Sequence, residues 1–236
     1  MLKLQNLSIS QDQVPLFNHL NVSFKPGQFW GIIGQNGVGK STLLRTIAGI
    51  NKPLNGAVLI DGTEVTTMPP QLRAQKFSYL FQEQEATLAF SVRAAVGMGR
   101  YPWHSKKADD NKITEQALQQ CGIQHLAEKS ILRLSGGERR KVEIATCITQ
   151  QSDYLLLDEP LNHLDLVYKA HILKVFSAIS QKRCVVMVCH DLEVVKKHCT
   201  HVMMLFANDC YLTGTSATIL TDANIGRLFN DHHQYD

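Results

Sequence analysis

Gly34-Gln35-Asn36-Gly37-Val38-Gly39-Lys40-Ser41 is the stretch on which the fold turns. It matches G-x-x-x-x-G-K-[ST], follows the apolar run Phe29 to Ile33 and opens a predicted helix from Ser41 to Ala48. Strand, loop and helix therefore stand in the order that phosphate binding requires. Glycines let a backbone wrap closely around phosphate groups, amide N–H groups and a helix N-terminus attract negative charge, and Lys40 can reach the outer phosphates. The Ser41 hydroxyl is placed to bind Mg2+, a cation that takes oxygen ligands.

Upstream of this loop the sequence is strand-rich, with predicted strands Leu2 to Ser8, Val22 to Phe24, Phe29 to Ile33 and Ala57 to Ile60. Turns are marked by Pro26-Gly27, Asn55-Gly56 and Asp61-Gly62, and the Asn-Gly and Asp-Gly pairs point to antiparallel hairpins. From about Ser91 to Gln151 the pattern becomes helical, with Ile113, Ala117, Leu118 and Cys121 at helical spacing. Short apolar strands then follow at Tyr154 to Leu157, Cys184 to Val188 and His201 to Phe206, separated by helices at Leu166 to Ser180 and Leu192 to His198. Near-continuous apolar strands alternating with helices imply a parallel sheet covered on both faces. The reading is an α/β chain with a core at 1–84 and 152–236 and a helical subdomain at 85–151.

The 236 residues are 44% hydrophobic, enough to bury one large domain or one domain with an inserted lobe. Net charge is +3, with 24 basic and 21 acidic residues mixed along the chain, so no basic stripe announces a nucleic-acid partner. The longest apolar runs fall far short of the roughly 20 residues that span a bilayer. The N-terminus lacks the long apolar run and small-residue cleavage site of a secretory signal, which places the chain in the cytoplasm. Six cysteines, at 121, 147, 184, 189, 199 and 210, show no zinc-site spacing and read as reduced core residues. The His232-His233 pair in the polar tail reads as solvated.

Two further stretches carry chemistry. Tyr154-Leu155-Leu156-Leu157-Asp158-Glu159-Pro160 is a buried strand ending in adjacent carboxylates, whose side chains point in different directions. Asp158 can hold magnesium, while Glu159 can face the terminal phosphate and orient or deprotonate an attacking water. Leu134-Ser135-Gly136-Gly137-Glu138 starts a helical run to Ile148 and reads as a capping box, Ser135 as N-cap and Glu138 as its partner. Two glycines in a first helical turn cost something like 1 kcal/mol each relative to alanine. That cost makes sense where the backbone must lie against a ligand.

The phosphate loop, LSGGE, the LLLDEP strand and the His190-Asp191 pair after Val188, in this order, resemble an ATP-binding-cassette (ABC) ATPase over Met1 to about Phe229. The resemblance implies a P-loop NTPase core with an N-terminal antiparallel β subdomain and an inserted α-helical lobe. It implies ATP contacts at Gly34, Gln35, Asn36, Gly37, Val38, Gly39, Lys40, Ser41 and Thr42, catalysis by Glu159, His190 and Lys40, and Mg2+ at Ser41, Gln82 and Asp158. In this family Ser135, Gly136, Gly137 and Glu138 of one subunit face the ATP of its twin, so a homodimer is expected. Asn162-His163-Leu164-Asp165 occupies the loop linking the two ATP sites, with Asp165 as its expected inter-site residue, and His190 resembles the histidine that contacts the γ-phosphate. The sequence departs from the family pattern at Ser10 to Gln13, which lacks an adenine-stacking aromatic, and at Leu161, Cys189 and Thr146.

Ser91 to His104, and above all Gly99-Arg100-Tyr101-Pro102-Trp103, is similar to the segment after the glutamine in importers of iron-siderophore complexes, haem and vitamin B12. That likeness implies an integral membrane permease contacted near Gln82, a substrate-binding protein acting indirectly, and a location on the inner face of the cell membrane. A soluble cassette ATPase and a metal-ion importer ATPase are the alternatives.

Overall fold

A computed structural model describes residues 1–82 and 89–230. The expected boundary at 84/85 and the His232-His233 tail lie outside the described residues. Strands β1 (Leu2–Gln11) and β2 (Val14–Phe24) pair antiparallel. The chain then crosses into a second sheet as β3 (Phe29–Gly34), runs through α1 (Lys40–Ile47), and returns as β4 (Asn55–Ile60) on the other edge of β1 before β5 (Thr63–Glu64). In β1 the buried set changes from Leu2 and Leu4 to Leu7 and Ile9, because a bulge at Asn6, with φ 50°, inserts one residue into the alternation.

Two expectations are corrected here. Strand β2 begins at Val14 rather than Val22. Phe17 and Leu20 both point inward although three residues apart, since His19, with φ 54°, breaks the period of two. Asp61-Gly62 does form the tight turn between β4 and β5, whereas Asn55-Gly56 opens β4 itself. A Cβ on Gly56 would lie 2.1 Å from Asn6 O, so this glycine admits the bulge of the neighbouring strand.

After α2 (Pro70–Lys76) and β6 (Phe77–Leu80) come the helices α3 (Val92–Gly97), α4 (Lys107–Gln120) and α5 (Gly136–Thr149). The chain resumes with β7 (Tyr154–Asp158), α6 (Leu166–Ser180), β8 (Cys184–Val188), α7 (Leu192–His198), β9 (His201–Phe206), β10 (Cys210–Thr215), α8 (Ser216–Ile219) and α9 (Asp222–Asn230). The second sheet has the order β10-β9-β3-β8-β7-β6, parallel throughout except for β10. Strand β10 is an edge strand of half-buried residues and lacks the apolar run that marks its neighbours.

Side chains alternate across this sheet and feed two cores. Leu155, Leu157, Val185, Met187 and Met204 join residues of α3 to α9, among them Val96, Leu118, Ile144, Ile172 and Leu228. Leu156, Val186, Val188, Met203 and Leu205 meet the antiparallel sheet and Leu43, Leu44 and Ile47 of α1. Burial on both faces is why these strands read as unbroken apolar runs. Five of the six cysteines are buried in these layers and Cys210 is half-buried, all as free thiols. No helix among the described residues is long and apolar enough to cross a membrane.

The parallel order decides where chemistry can happen. Strands β3, β6, β7 and β8 all end at the same edge, so the phosphate loop, Gln82, Asp158-Glu159 and His190 converge there.

Candidate active site

The phosphate loop depends on its glycines. Gly37 and Gly39 have φ of 77° and 106°, in the left-handed region that glycine occupies at no steric cost. A Cβ on Gly34 would meet Leu205 O at 2.7 Å. Lys40 is buried, and its Nζ donates to Gly34 O at 2.9 Å and Gln35 O at 2.7 Å, so the ammonium closes the loop on itself. Burial holds its pKa below the ordinary lysine value, against the opposing charges of Glu159 and Asp158. Gln35 is anchored from the far end of the chain, donating to Leu228 O at 3.0 Å.

Asp158 ends β7 fully buried. It accepts from Ser41 Oγ at 2.9 Å and from Tyr79 OH at 3.2 Å. Burial raises its pKa despite those two hydrogen bonds, and the nearby Asp158 charge, with burial foremost, pushes the Tyr79 phenol up in turn. A buried carboxylate whose hydrogen-bond partners are neutral hydroxyls is a fitting seat for a hard cation, and Ser41, Asp158 and Gln82 offer oxygen donors of the kind Mg2+ takes.

Glu159 turns away from the strand. Its φ of 48° is a left-handed conformation that costs a glutamate on the order of 1–3 kcal/mol. The turn delivers its carboxylate to His190 Nε2, 2.6 Å from Oε1, while Oε2 accepts from Asn162 Nδ2 at 2.7 Å and Gln82 Nε2 at 3.4 Å. Burial pushes its pKa up, but the hydrogen bonds from His190 and Asn162 and the charges of His190 and Lys40 outweigh it, leaving the carboxyl below the usual range. It is ionised at neutral pH.

These groups face a cleft of about 630 Å3 lined by Asn36, Gly37, Gly39, Lys40, Ser41, Thr42, Gln82, Glu159 and His190. Gln11 completes the lining at the position where an aromatic would be expected, 3.4 Å from the Thr42 hydroxyl. Phe17 is buried in the core instead. Gly34, Gln35 and Val38 belong to the loop without lining this cleft. The Ser135–Glu138 group is absent from the lining too. It forms the expected capping box, with Ser135 Oγ accepting from Glu138 N at 3.3 Å and Glu138 Oε2 accepting from Ser135 N at 2.9 Å. A Cβ on Gly137 would lie 2.8 Å from His163 O, so the start of α5 rests on the 162–165 loop of its own chain. Asp165 caps α6 by accepting from Tyr168 N at 2.8 Å and stands 3.9 Å from Lys141 Nζ.

Three participants escaped sequence reasoning. Tyr79 carries no sequence signal beyond its place in the strand Phe77 to Leu80, and Asn162 has no role assigned beyond the 162–165 loop. Arg140, to which the sequence assigns no role, is buried, with Nη1 donating to Phe81 O and Nη2 to Asp158 O and Glu159 O. Within 99–103 most of the pattern is packing. A Cβ on Gly99 would meet Thr146 O at 2.4 Å, Arg100 is buried against Asp110 and Thr149 O, and Trp103 Nε1 donates to Gln150 O at 2.5 Å. Tyr101 is 83% exposed and free to face a partner.

The model of the ABC transporter family matches residues 17–162. The chain is 33% identical to the hemin import ATP-binding protein HmuV of Pseudomonas entomophila over 97% of its length and 92% of the relative's. It is 31% identical to the achromobactin transport ATP-binding protein CbrD of Dickeya dadantii, covering 96% of this chain and 86% of that one. Among solved structures it is similar to cbiO1 of Clostridium perfringens, part of the ABC transporter complex cbiONQ, with a TM-score of 0.81, 26% identity, and coverage of 97% and 94%. A phosphate loop, a carboxylate pair and a histidine gathered at one sheet edge thus coincide with full-length similarity, and the chain belongs to the ABC transporter family of ATP-binding subunits.

Proposed function

We propose that two copies of this chain sandwich two ATP molecules and use their hydrolysis to drive a membrane permease importing chelated iron, as haem or an iron-siderophore. The observation that carries the reading is the Glu159 carboxylate, turned into the cleft beside the phosphate loop and held there by His190 and Asn162. Being ionised, it accepts a hydrogen bond from water and orients that water toward the γ-phosphorus. Lys40 and the loop amides bind the phosphates, and His190 fixes the carboxylate while facing the same cleft. Mg2+, held by Ser41, Asp158 and Gln82, supplies neutralisation of phosphate charge when bound.

Ser135, Gly136, Gly137 and Glu138 of one copy complete the site of the other, through the amides and positive end of α5. Asp165 lies on the loop between Gly137 and α6 and links the two sites. Closure moves the lobe at 85–151 against the core at 1–84 and 152–236. Gln82 and Tyr101 face the permease, which sets the chain on the cytoplasmic side of the membrane; a substrate-binding protein acts on the far side. HmuV and CbrD, by their names, serve hemin and achromobactin, which favours chelated iron. Cobalamin rests on the resemblance of Gly99 to Trp103 alone.

The test is to express tagged Glu159→Gln in the native host, add ATP and Mg2+ to detergent-solubilised membranes, and identify co-purifying proteins by mass spectrometry. A polytopic permease with its binding protein is expected. Ribosomal or DNA-bound proteins with no permease would overturn the transport reading in favour of a soluble cassette ATPase.

A further inference from the structure

We propose that Arg140 is a positioning residue for hydrolysis, holding the backbone on both sides of Glu159 and so fixing where that carboxylate points. The inference rests on the role given to Glu159 above. Arg140 is 3% exposed, in the second turn of α5. Its Nη1 donates to Phe81 O at 2.6 Å, the carbonyl just before Gln82, and its Nη2 donates to Asp158 O at 2.8 Å and Glu159 O at 2.9 Å. Glu143, 21% exposed and one turn along the same helix, balances its charge at 2.9 Å.

Two independent observations meet at this guanidinium. The first is its use: a buried charge is costly unless paired and hydrogen-bonded, and this one directs its fork at main-chain carbonyls at the ends of β6 and β7. The second is the φ of 48° at Glu159, a conformation that a glutamate keeps only where its surroundings enforce it. Two of the three carbonyls that Arg140 holds, those of Asp158 and Glu159, belong to the peptides on either side of that strained residue; Asn162 N, 3.3 Å from Glu159 O, also donates to the second of them. Released from the clamp, Glu159 relaxes toward the extended path of β7, and its carboxylate leaves His190 and Asn162. Arg140 also lies on the helix that opens with Ser135 to Glu138, so displacement of that helix start reaches Glu159 and Gln82 through one side chain.

The test uses Arg140→Lys and Glu143→Gln in the full chain. One ammonium cannot reproduce a fork spread over three carbonyls, whereas it keeps the charge beside Glu143. For Arg140→Lys the expected result is a kcat lower by roughly 10–100-fold, as for a catalytic group misplaced by about 1 Å, with the KM for ATP within about twofold of wild type. Glu143→Gln leaves the clamp in place and is expected to lower the melting temperature while keeping kcat within about threefold. In a Glu159→Gln background, Arg140→Lys should reduce the residual single-turnover rate by less than about threefold, because the group it positions is gone. Equal losses in kcat and KM, a Glu143→Gln that loses kcat as Arg140→Lys does, or a loss repeated in full in the Glu159→Gln background would overturn the proposal. Wild-type turnover by Glu159→Gln alone would instead sink the role of Glu159.

Discussion

Replacing Gly136 by alanine should make the protein more stable and less active, whereas the same change at Gly137 should cost stability. Both glycines stand in the first turn of α5. Alanine there removes unfolded-state freedom and improves helix propensity, a gain of about 0.4–1 kcal/mol. At Gly136 a Cβ meets nothing within 4 Å among the described residues, so the gain is kept whole. For a chain of this size it raises Tm by about 1–4 °C. At Gly137 the Cβ would lie 2.8 Å from the backbone oxygen of His163, which cannot swing aside as a side chain would. Overpacking of that kind costs about 1–3 kcal/mol. It offsets the helix gain and leaves a net loss of up to about 2.6 kcal/mol. Thermal unfolding by circular dichroism without nucleotide reads both effects. Steady-state ATP turnover reads the other effect: no described residue of the same chain crowds Gly136, so slower turnover by a stabilised variant is the outcome expected if this turn lies against the nucleotide of a second copy, as proposed above. Gly136→Ala that melts lower than wild type, or that hydrolyses ATP at the wild-type rate, would refute this reasoning.

Removing the imidazole in His190→Ala takes away the 2.6 Å partner that keeps Glu159 acidic, so the acidic limb of the kcat profile should move to higher pH; an unmoved limb would show that another group sets it. The sign for stability agrees: a depressed carboxyl pKa stabilises the fold above the unfolded glutamate value, and that contribution is lost as pH falls through the folded value, so His190→Ala should lose less stability than wild type in that acidic window. Gly99→Ala should cost about 1–3 kcal/mol in denaturant unfolding through its contact with Thr146 O. Tyr101→Ala, at an exposed position, should change stability by less than about 0.5 kcal/mol and reduce only permease-stimulated turnover.

The parts of the site most legible in the sequence are those where one residue type is physically required. Gly37 and Gly39 need positive φ, Gly34 has no room for a Cβ, and Asp158 and Glu159 end a strand too apolar to hold them by accident. The doubly covered sheet was legible for the same reason, since its strands are buried on both faces. What stayed hidden depends on packing between distant segments. Arg140 is an arginine among charged residues after LSGGE, and only the folded chain shows its guanidinium beneath the ends of β6 and β7. Tyr79 shares its strand with core residues and differs from them only in what its hydroxyl meets. The sequence pattern shows only the end of β2, because the bulge at His19 disrupts the periodicity by which a strand is recognised.

In the proposed mechanism Glu159 drives hydrolysis in a site completed by a second copy. Glu159→Gln, purified and examined by light scattering on a sizing column with ATP and Mg2+ and again without them, tests both halves at once. Loss of turnover and an ATP-dependent shift from the 26.4 kDa chain to twice that mass are expected. A variant that remains a single chain in ATP and hydrolyses it at the wild-type rate would contradict both the role of Glu159 and the shared site.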